Sequence, residues 1–341
     1  MGSLNMSALH LYAMLSELLG IKAGLAVSQG DLRRLLSSDE MSAEYAELDL
    51  DQDGVRIHSS SFEELIEILL YKVGRLKKRT NHIPGISQYH RYKNDPTMNA
   101  IWEDVLTIYT QWMPSAIRAT ENAGAKLIDP EAVMRQVAKK HGKRGLDLLM
   151  ELFEEQNTHV YKSPWNFHPT TTEWKDTIEL RALFEKESLN SMYGNFFDQR
   201  YIDFLNRNFE DIDSIHWRKF EQFTAEYFDR NGFLVELGPG RGDDGVDVRA
   251  WPKEYTSSMP PLIIVQCKRQ KAAVEKVIVK SLYADVVQEK AASGLIVTTS
   301  RLSKGARDTS AVRKYPIDVA DRQTLKVWLE TLQSPTSGVI T

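Results

Sequence analysis

Beyond Ile212 the chain is built from short apolar runs rich in β-branched residues, and runs of that kind satisfy their backbone only as strands of a shared sheet. They fall at 233–237, 246–251, 262–267, 294–299 and 317–320. An amphipathic helix over 213–230 precedes them. Further helices are expected over 273–291, over 304–314 and over 322–332, the last capped by Asp321. The first three runs are close enough for hairpin connections, whereas the later ones are separated by helices and require crossovers. The expectation is an α/β domain over 213–332 with a mixed central sheet flanked by helices on both faces.

Residues 1–208 read differently. Apolar residues recur there at three-to-four spacing, for example over 9–19, 62–76 and 101–112, so a mostly α-helical region is predicted. Ser61-x-x-Glu64 reads as a capping box at a helix start, and Asp129-Pro130-Glu131 places a cap, an N1 proline and a first-turn acid in order. Pro, Asn and His interrupt the pattern near 81–84 and 162–169, and the second break is a candidate subdivision of the region. A length of 341 residues suits two domains, and 42% hydrophobic with 26% charged residues suits a globular protein.

Cys267 is the single cysteine, which excludes an intrachain disulfide and a multi-thiolate metal site. No run of about 18 apolar residues occurs, so no membrane association is expected and the cytosol is the expected compartment. The chain holds 43 basic and 47 acidic residues, a balance unlike that of a protein that coats nucleic acid. Residues 215–330 carry 19 basic and 15 acidic residues, net +4, which leaves −8 for the remainder.

The chemistry concentrates in Gly238-Pro239-Gly240-Arg241-Gly242-Asp243-Asp244-Gly245-Val246-Asp247, followed by the run Ile263-Ile264-Val265-Gln266-Cys267-Lys268. Side chains alternate along a strand, so Gln266 and Lys268 share one face while Val265 and Cys267 share the other. Asp247 flanked by Val246 and Val248 alternates likewise. Two neighbouring strands can then present Asp247, Gln266 and Lys268 as one polar cluster on an apolar sheet. Buried charge needs a partner, so the cluster reads as an ion pair or as a metal and substrate site.

Taken together these residues resemble the Mrr-like branch of the PD-(D/E)xK nucleases, known from type IV restriction enzymes. The resemblance covers about 216–330. Its motifs are Phe220-Glu221 with Gly232, the turn Asp243-Asp244-Gly245-Val246-Asp247, Gln266-Cys267-Lys268, Thr298-Thr299-Ser300, and Gly305-Ala306. It implies a magnesium-dependent endonuclease acting on DNA, with manganese able to substitute. Asp247 would be the principal metal ligand, Gln266 would stand where the wider superfamily has Asp or Glu, and Glu221 would restore a second carboxylate. Lys268 would orient the attacking water and stabilise charge on the phosphate.

Asp243 and Asp244 would either make auxiliary metal contacts or hydrogen-bond the glycine-rich turn. Thr299 and Ser300 would either touch phosphate or end a strand. Glu226 competes with Glu221 for the role of second acid, and Lys304, Arg307, Arg313 and Lys314 are either DNA contacts or a solvated helix face.

The resemblance also implies prokaryotic restriction or antiviral defence, with a structure-specific repair nuclease and a catalytically silent DNA-binding module as alternatives. A homo-oligomer, at least a dimer, is expected. Because residues 1–208 are acidic overall, they are expected to regulate, to assemble, or to meet a protein partner or signal. Asp49-x-Asp51-x-Asp53-Gly54 opens like a calcium loop, but Arg56 and Ser60 occupy positions that need an apolar residue and a bidentate Glu, so a turn is expected.

Overall fold

The computed structural model describes residues 2–79, 84–123, 128–163, 174–186, 193–240 and 245–333. The breaks expected at 81–84 and 162–169, and the acids Asp243 and Asp244, lie wholly or mostly outside them. Two compact units form, one up to Thr177 and one from Ile178 onward.

The N-terminal unit is mostly helical. A two-stranded antiparallel ribbon joins Ser3–Met6 to Val55–His58, with Ser3 opposite His58. Strand signals are scarce in this part of the sequence because each strand is only four residues long; Val55 and Ile57 are buried while Arg56 and His58 face outward. The helix Ser59–Lys72 follows the ribbon directly. It therefore starts two residues ahead of the expected capping box, and Ser61 sits inside its first turn.

Asp129 behaves as expected: its carboxylate accepts the Glu131 N–H at 2.9 Å at the start of the helix Glu131–Lys162. That helix packs on the helix Pro96–Asn122 through Val105, Tyr109, Val137, Leu149 and Phe153. Tyr109 and Trp112 meet the Phe153 ring at 6.0 and 5.9 Å, which packs these rings into the same core. At the calcium-like stretch, Asp49 accepts the Asp51 N–H on its side chain at 3.2 Å and the Gln52 N–H on its carbonyl, which makes a turn.

The C-terminal unit is a five-stranded mixed sheet between two helical layers. Its main elements are α1 (Gln199–Arg207), α2 (Trp217–Arg230), β1 (Phe233–Leu237), β2 (Val248–Pro252), β3 (Ile263–Lys268), α3 (Lys276–Glu289), β4 (Ser293–Thr298), α4 (Lys304–Arg313), β5 (Ile317–Ala320) and α5 (Arg322–Leu332). Spatial order equals chain order. β1, β2 and β3 pair antiparallel, whereas β4 and β5 join parallel, as hairpin and crossover connections require.

One face of the sheet buries Ile264 and Ile296 against Val279, Leu282 and Val286 of α3 and Ala306 of α4. Gly294 is needed on this face, since a Cβ there would lie 3.0 Å from both Leu282 and Val286. On the other face α2 and α5 meet through Trp328, which stacks on Tyr227 at 3.8 Å and lies edge-on to Phe228 at 6.1 Å.

The unit reaches back to Ile178 because a buried polar network joins the segment before α2 to the sheet domain. Glu226 of α2 is 1% exposed and accepts the backbone N–H groups of Phe196 and Phe197 at 2.7 and 3.1 Å, together with Arg230 Nε at 2.7 Å. Gln199 of α1 donates to the Leu332 carbonyl of α5 at 3.0 Å and accepts from Arg230. Glu226 is thus a structural anchor with its acceptor sites occupied, which removes it from competition with Glu221.

Breaking a buried network by deleting one partner strands the others. Glu226→Ala should lower the stability of the C-terminal unit by about 2–4 kcal/mol in urea unfolding. A change below about 0.5 kcal/mol would place this network outside the fold's essential contacts.

Candidate active site

Asp247 lies immediately ahead of β2, one step beyond the Val248–Val265 pair. Its N–H donates to the Val265 carbonyl at 2.9 Å, and the Gly238 N–H donates to its own carbonyl at 2.8 Å. Its carboxylate oxygen Oδ2 accepts the Cys267 N–H at 2.6 Å. The strand that carries Gln266 and Lys268 therefore holds the Asp247 carboxylate through its own backbone. Asp247 is buried, 7% exposed.

Glu221 arrives from the first turns of α2. It is 6% exposed, and Arg218 Nη1, one turn earlier, donates to its Oε2 at 2.8 Å. Burial pushes the Glu221 carboxyl up to about 7; Arg218 opposes that shift, while the neighbouring Asp247 carboxylate, hydrogen-bonded to it, adds to it. Two acids thus share one desolvated space, which raises the proton affinity of Glu221 unless a cation joins them. The same surroundings hold the Cys267 thiol well above its ordinary value, first through burial and then through Asp247. Its Sγ faces Thr224 Oγ1 of α2 at 3.5 Å, packing α2 on β3.

Gln266 supplies a third oxygen. It is 4% exposed, and its Oε1 is a buried acceptor with no hydrogen-bond partner. On its other side, Gly245 at φ +92° would place a Cβ 2.7 Å from Gln266 Nε2, so only glycine fits both that backbone and that contact. Among the described residues no three His, Cys, Asp or Glu side chains gather as a cation cage. The set here is two carboxylates and an amide, all oxygen donors, and it suits a hard cation.

Lys268 closes β3 beside Thr298 of β4. Thr298 Oγ1 donates to the Lys268 carbonyl at 2.8 Å, and Thr299 Oγ1 accepts the Gln270 N–H at 3.1 Å. Ser300 Oγ donates to the Lys271 carbonyl at 3.2 Å. These hydroxyls brace the chain that leaves Lys268.

The structure therefore brings Glu221, Asp247 and Gln266 to one end of the sheet, with Lys268 close enough to lower the Cys267 thiol electrostatically. Arg218 was not anticipated, although its i,i+3 spacing from Glu221 is a recognisable pairing signal.

Residues 212–329 match the Mrr_cat family model, described as restriction endonuclease. That match identifies a restriction-endonuclease domain within the chain and covers about a third of its length. The mixed sheet with its flanking helices is the restriction-endonuclease-like fold.

A curated protein of Sinorhizobium fredii (strain NBRC 101917 / NGR234), the uncharacterized protein y4cE, is 26% identical over 129 residues, covering 38% of this chain and 33% of that protein. The chain thus spans about a third of the length of that relative. The MspJI restriction endonuclease, solved in complex with a 27-mer oligonucleotide, is a structural match at a TM-score of 0.27 and 19% identity, covering 39% of this chain and 31% of that one.

The raised Glu221 carboxyl has a consequence for stability without metal. The folded chain keeps a proton up to about pH 7 that the unfolded chain releases near its ordinary value of 4.5. Between those values the native state binds more protons, so stability falls as pH rises through the window. Glu221→Gln removes this titration and should flatten the profile. Measured in EDTA, its urea midpoint should gain on the wild type between pH 5 and pH 8, and parallel profiles for the two proteins would contradict the assignment.

Proposed function

We propose that the protein is a divalent-cation-dependent DNA endonuclease whose active centre is Asp247, Glu221, Gln266 and Lys268. The observation that carries this reading is the pair of Glu221 and Asp247 carboxyls in one desolvated space, with the buried, unpartnered Gln266 Oε1 on the strand whose backbone holds Asp247. A buried acceptor without a donor is costly, and adjacent carboxylates repel. A cation bound by all three removes both penalties.

Magnesium fits this set of hard oxygen donors, and manganese should replace it; when bound, the ion acts as a Lewis acid on a phosphate oxygen. Asp247 anchors it, oriented by the Cys267 N–H. Glu221 supplies the second charge from α2. Gln266 contributes a neutral oxygen, so the site carries less negative charge than one with three carboxylates and repels phosphate less. Lys268, the final residue of β3, supplies the positive charge that orients the attacking water and stabilises charge developing on the phosphate.

Asp243 and Asp244, which precede Asp247 in the sequence, are proposed as auxiliary acids. One active centre accommodates one phosphodiester, so cutting both strands of a duplex calls for a second copy of the chain, and a homodimer is the proposed working form. The role proposed for the enzyme is prokaryotic restriction or antiviral defence inside the cell. No helix among the described residues is long and apolar enough to cross a membrane.

Cleavage of plasmid DNA should require magnesium or manganese and stop in excess EDTA. Asp247→Ala and Lys268→Ala should each lower the rate on the order of a hundredfold to a thousandfold while leaving folding and DNA binding in place. Gln266→Glu should retain partial activity. Wild-type cleavage by a folded Asp247→Ala protein, free of contaminating nuclease, would remove this site from consideration.

A further inference from the structure

The N-terminal unit is acidic as a whole, with 20 basic and 24 acidic residues up to Thr177. Within it, residues 132–146 hold five cations, Arg135, Lys139, Lys140, Lys143 and Arg144, and no acid. These cations are exposed. They also surround a sharp corner. Gly142 has φ 58° and ψ −146°, which splits the helical stretch Glu131–Lys162 in two.

In a straight helix, residues eight apart are separated by about 12 Å along the axis. Here a Cβ on Gly145 would lie 2.9 Å from Val137 Cγ1 and 2.5 Å from His141 Cβ, so the chain folds back at the corner and Gly145 makes room for it. Lys139 and Lys140 thus lie just before the corner, and Lys143 and Arg144 just after it.

Not all of the five are available. Arg135 pairs with Glu131, and Lys140 pairs with Asp104 at 2.7 Å. His141 Nε2 lies 2.5 Å from the same Asp104 carboxylate, so Asp104 of the neighbouring helix pins the corner from its inner side. Lys139, Lys143 and Arg144 have no ion pair among the described residues.

They differ in this from the other basic cluster of the unit, residues 75–79. There Arg75 is buried over the Trp174 ring at 5.4 Å, Arg79 pairs with Asp39 and Glu64, and Lys78 pairs with Glu154. A solvated helix face usually intersperses both signs of charge. An acid-free stretch that brings three unpaired cations to one corner makes a local positive field suited to a polyanion.

We infer that the corner formed by Lys139, Lys143 and Arg144 is a contact surface for the phosphate backbone of duplex DNA, separate from the active centre. The inference rests on the proposal that DNA is the substrate. Contacts of this kind position a duplex and carry no sequence information. Below the corner the second helix turns acidic, with Asp147, Glu151, Glu154 and Glu155, so a duplex would touch the corner itself and the rest of that helix would stay outside the groove.

Each phosphate contact releases counterions, so the slope of log affinity against log salt reports how many are made, at about 0.9 per contact on B-DNA. The full chain should be titrated with a duplex in excess EDTA, where binding is read without cleavage. Lys139→Gln/Lys143→Gln/Arg144→Gln should reduce that slope by about 2.7 and weaken binding at low salt. A control that removes equal charge elsewhere in the unit, Arg56→Gln/Lys93→Gln/Arg118→Gln, should change the slope by less than about 1.

Equal losses in both triples would make the effect one of net charge and overturn the assignment. An unchanged slope in the first triple, with its circular dichroism intact, would also overturn it and leave the corner to an acidic protein partner. Because cleavage plays no part in the readout, failure here is distinct from failure of the active-site proposal, which the Asp247→Ala assay decides.

Discussion

The 2.6 Å hydrogen bond from the Cys267 N–H to Asp247 Oδ2 is the interaction on which the site depends. It couples the start of β2 to the end of β3 through a charged acceptor, a stronger bond than a neutral ladder contact. It also fixes where the carboxylate points. With Asp247 held there, Glu221 is brought against it by the packing of α2 on β3, and Gln266, one residue before the donor, is confined by Gly245. Distortion of this one contact would separate the three oxygens at once.

The fold places strain and unpaired polarity where function needs them. Most polar groups buried in the C-terminal unit are matched: Glu226 has three donors, and Thr298 and Thr299 are bonded to backbone. Gln266 Oε1 departs from that pattern, as does Gln222 Oε1 of α2, so a missing partner alone does not mark the site; the Glu221–Asp247 pair of desolvated carboxyls does. Arg218 moderates the electrostatics without neutralising them, because it meets one oxygen of Glu221 and leaves the shared space with Asp247 still desolvated.

Much of this was legible in the sequence because it depends on period. The β-branched runs predicted the five strands in order, and spacing predicted which joined by hairpins and which by crossovers. That Gln266 and Lys268 share one face of β3 follows from alternation, and that Asp247 lies at the start of its neighbour β2 follows from the spacing of the runs. The rest depends on distance along the chain. The ribbon pairing Ser3–Met6 with Val55–His58 spans about fifty residues through two strands too short to show alternation.

The segment from Ile178 to α2 joins the sheet domain through Glu226 and Gln199, and nothing local signals such contacts. The corner at Gly142 was hidden for a related reason: Lys139 to Arg144 reads as a continuous basic helix face unless the glycine's left-handed conformation is known. The expected helix start at Ser61 failed because the preceding ribbon strand feeds directly into the helix.

The central claim is that Asp247, Glu221 and the unpartnered Gln266 oxygen form one divalent-cation site. Anomalous diffraction from crystals soaked in manganese tests it without any assay of cleavage. The account predicts a single strong anomalous peak bounded by the Asp247 and Glu221 carboxylates and Gln266 Oε1, absent from Asp247→Ala crystals. A manganese peak bound elsewhere, with Gln266 Oε1 hydrogen-bonded to a protein donor in the crystal, would contradict it.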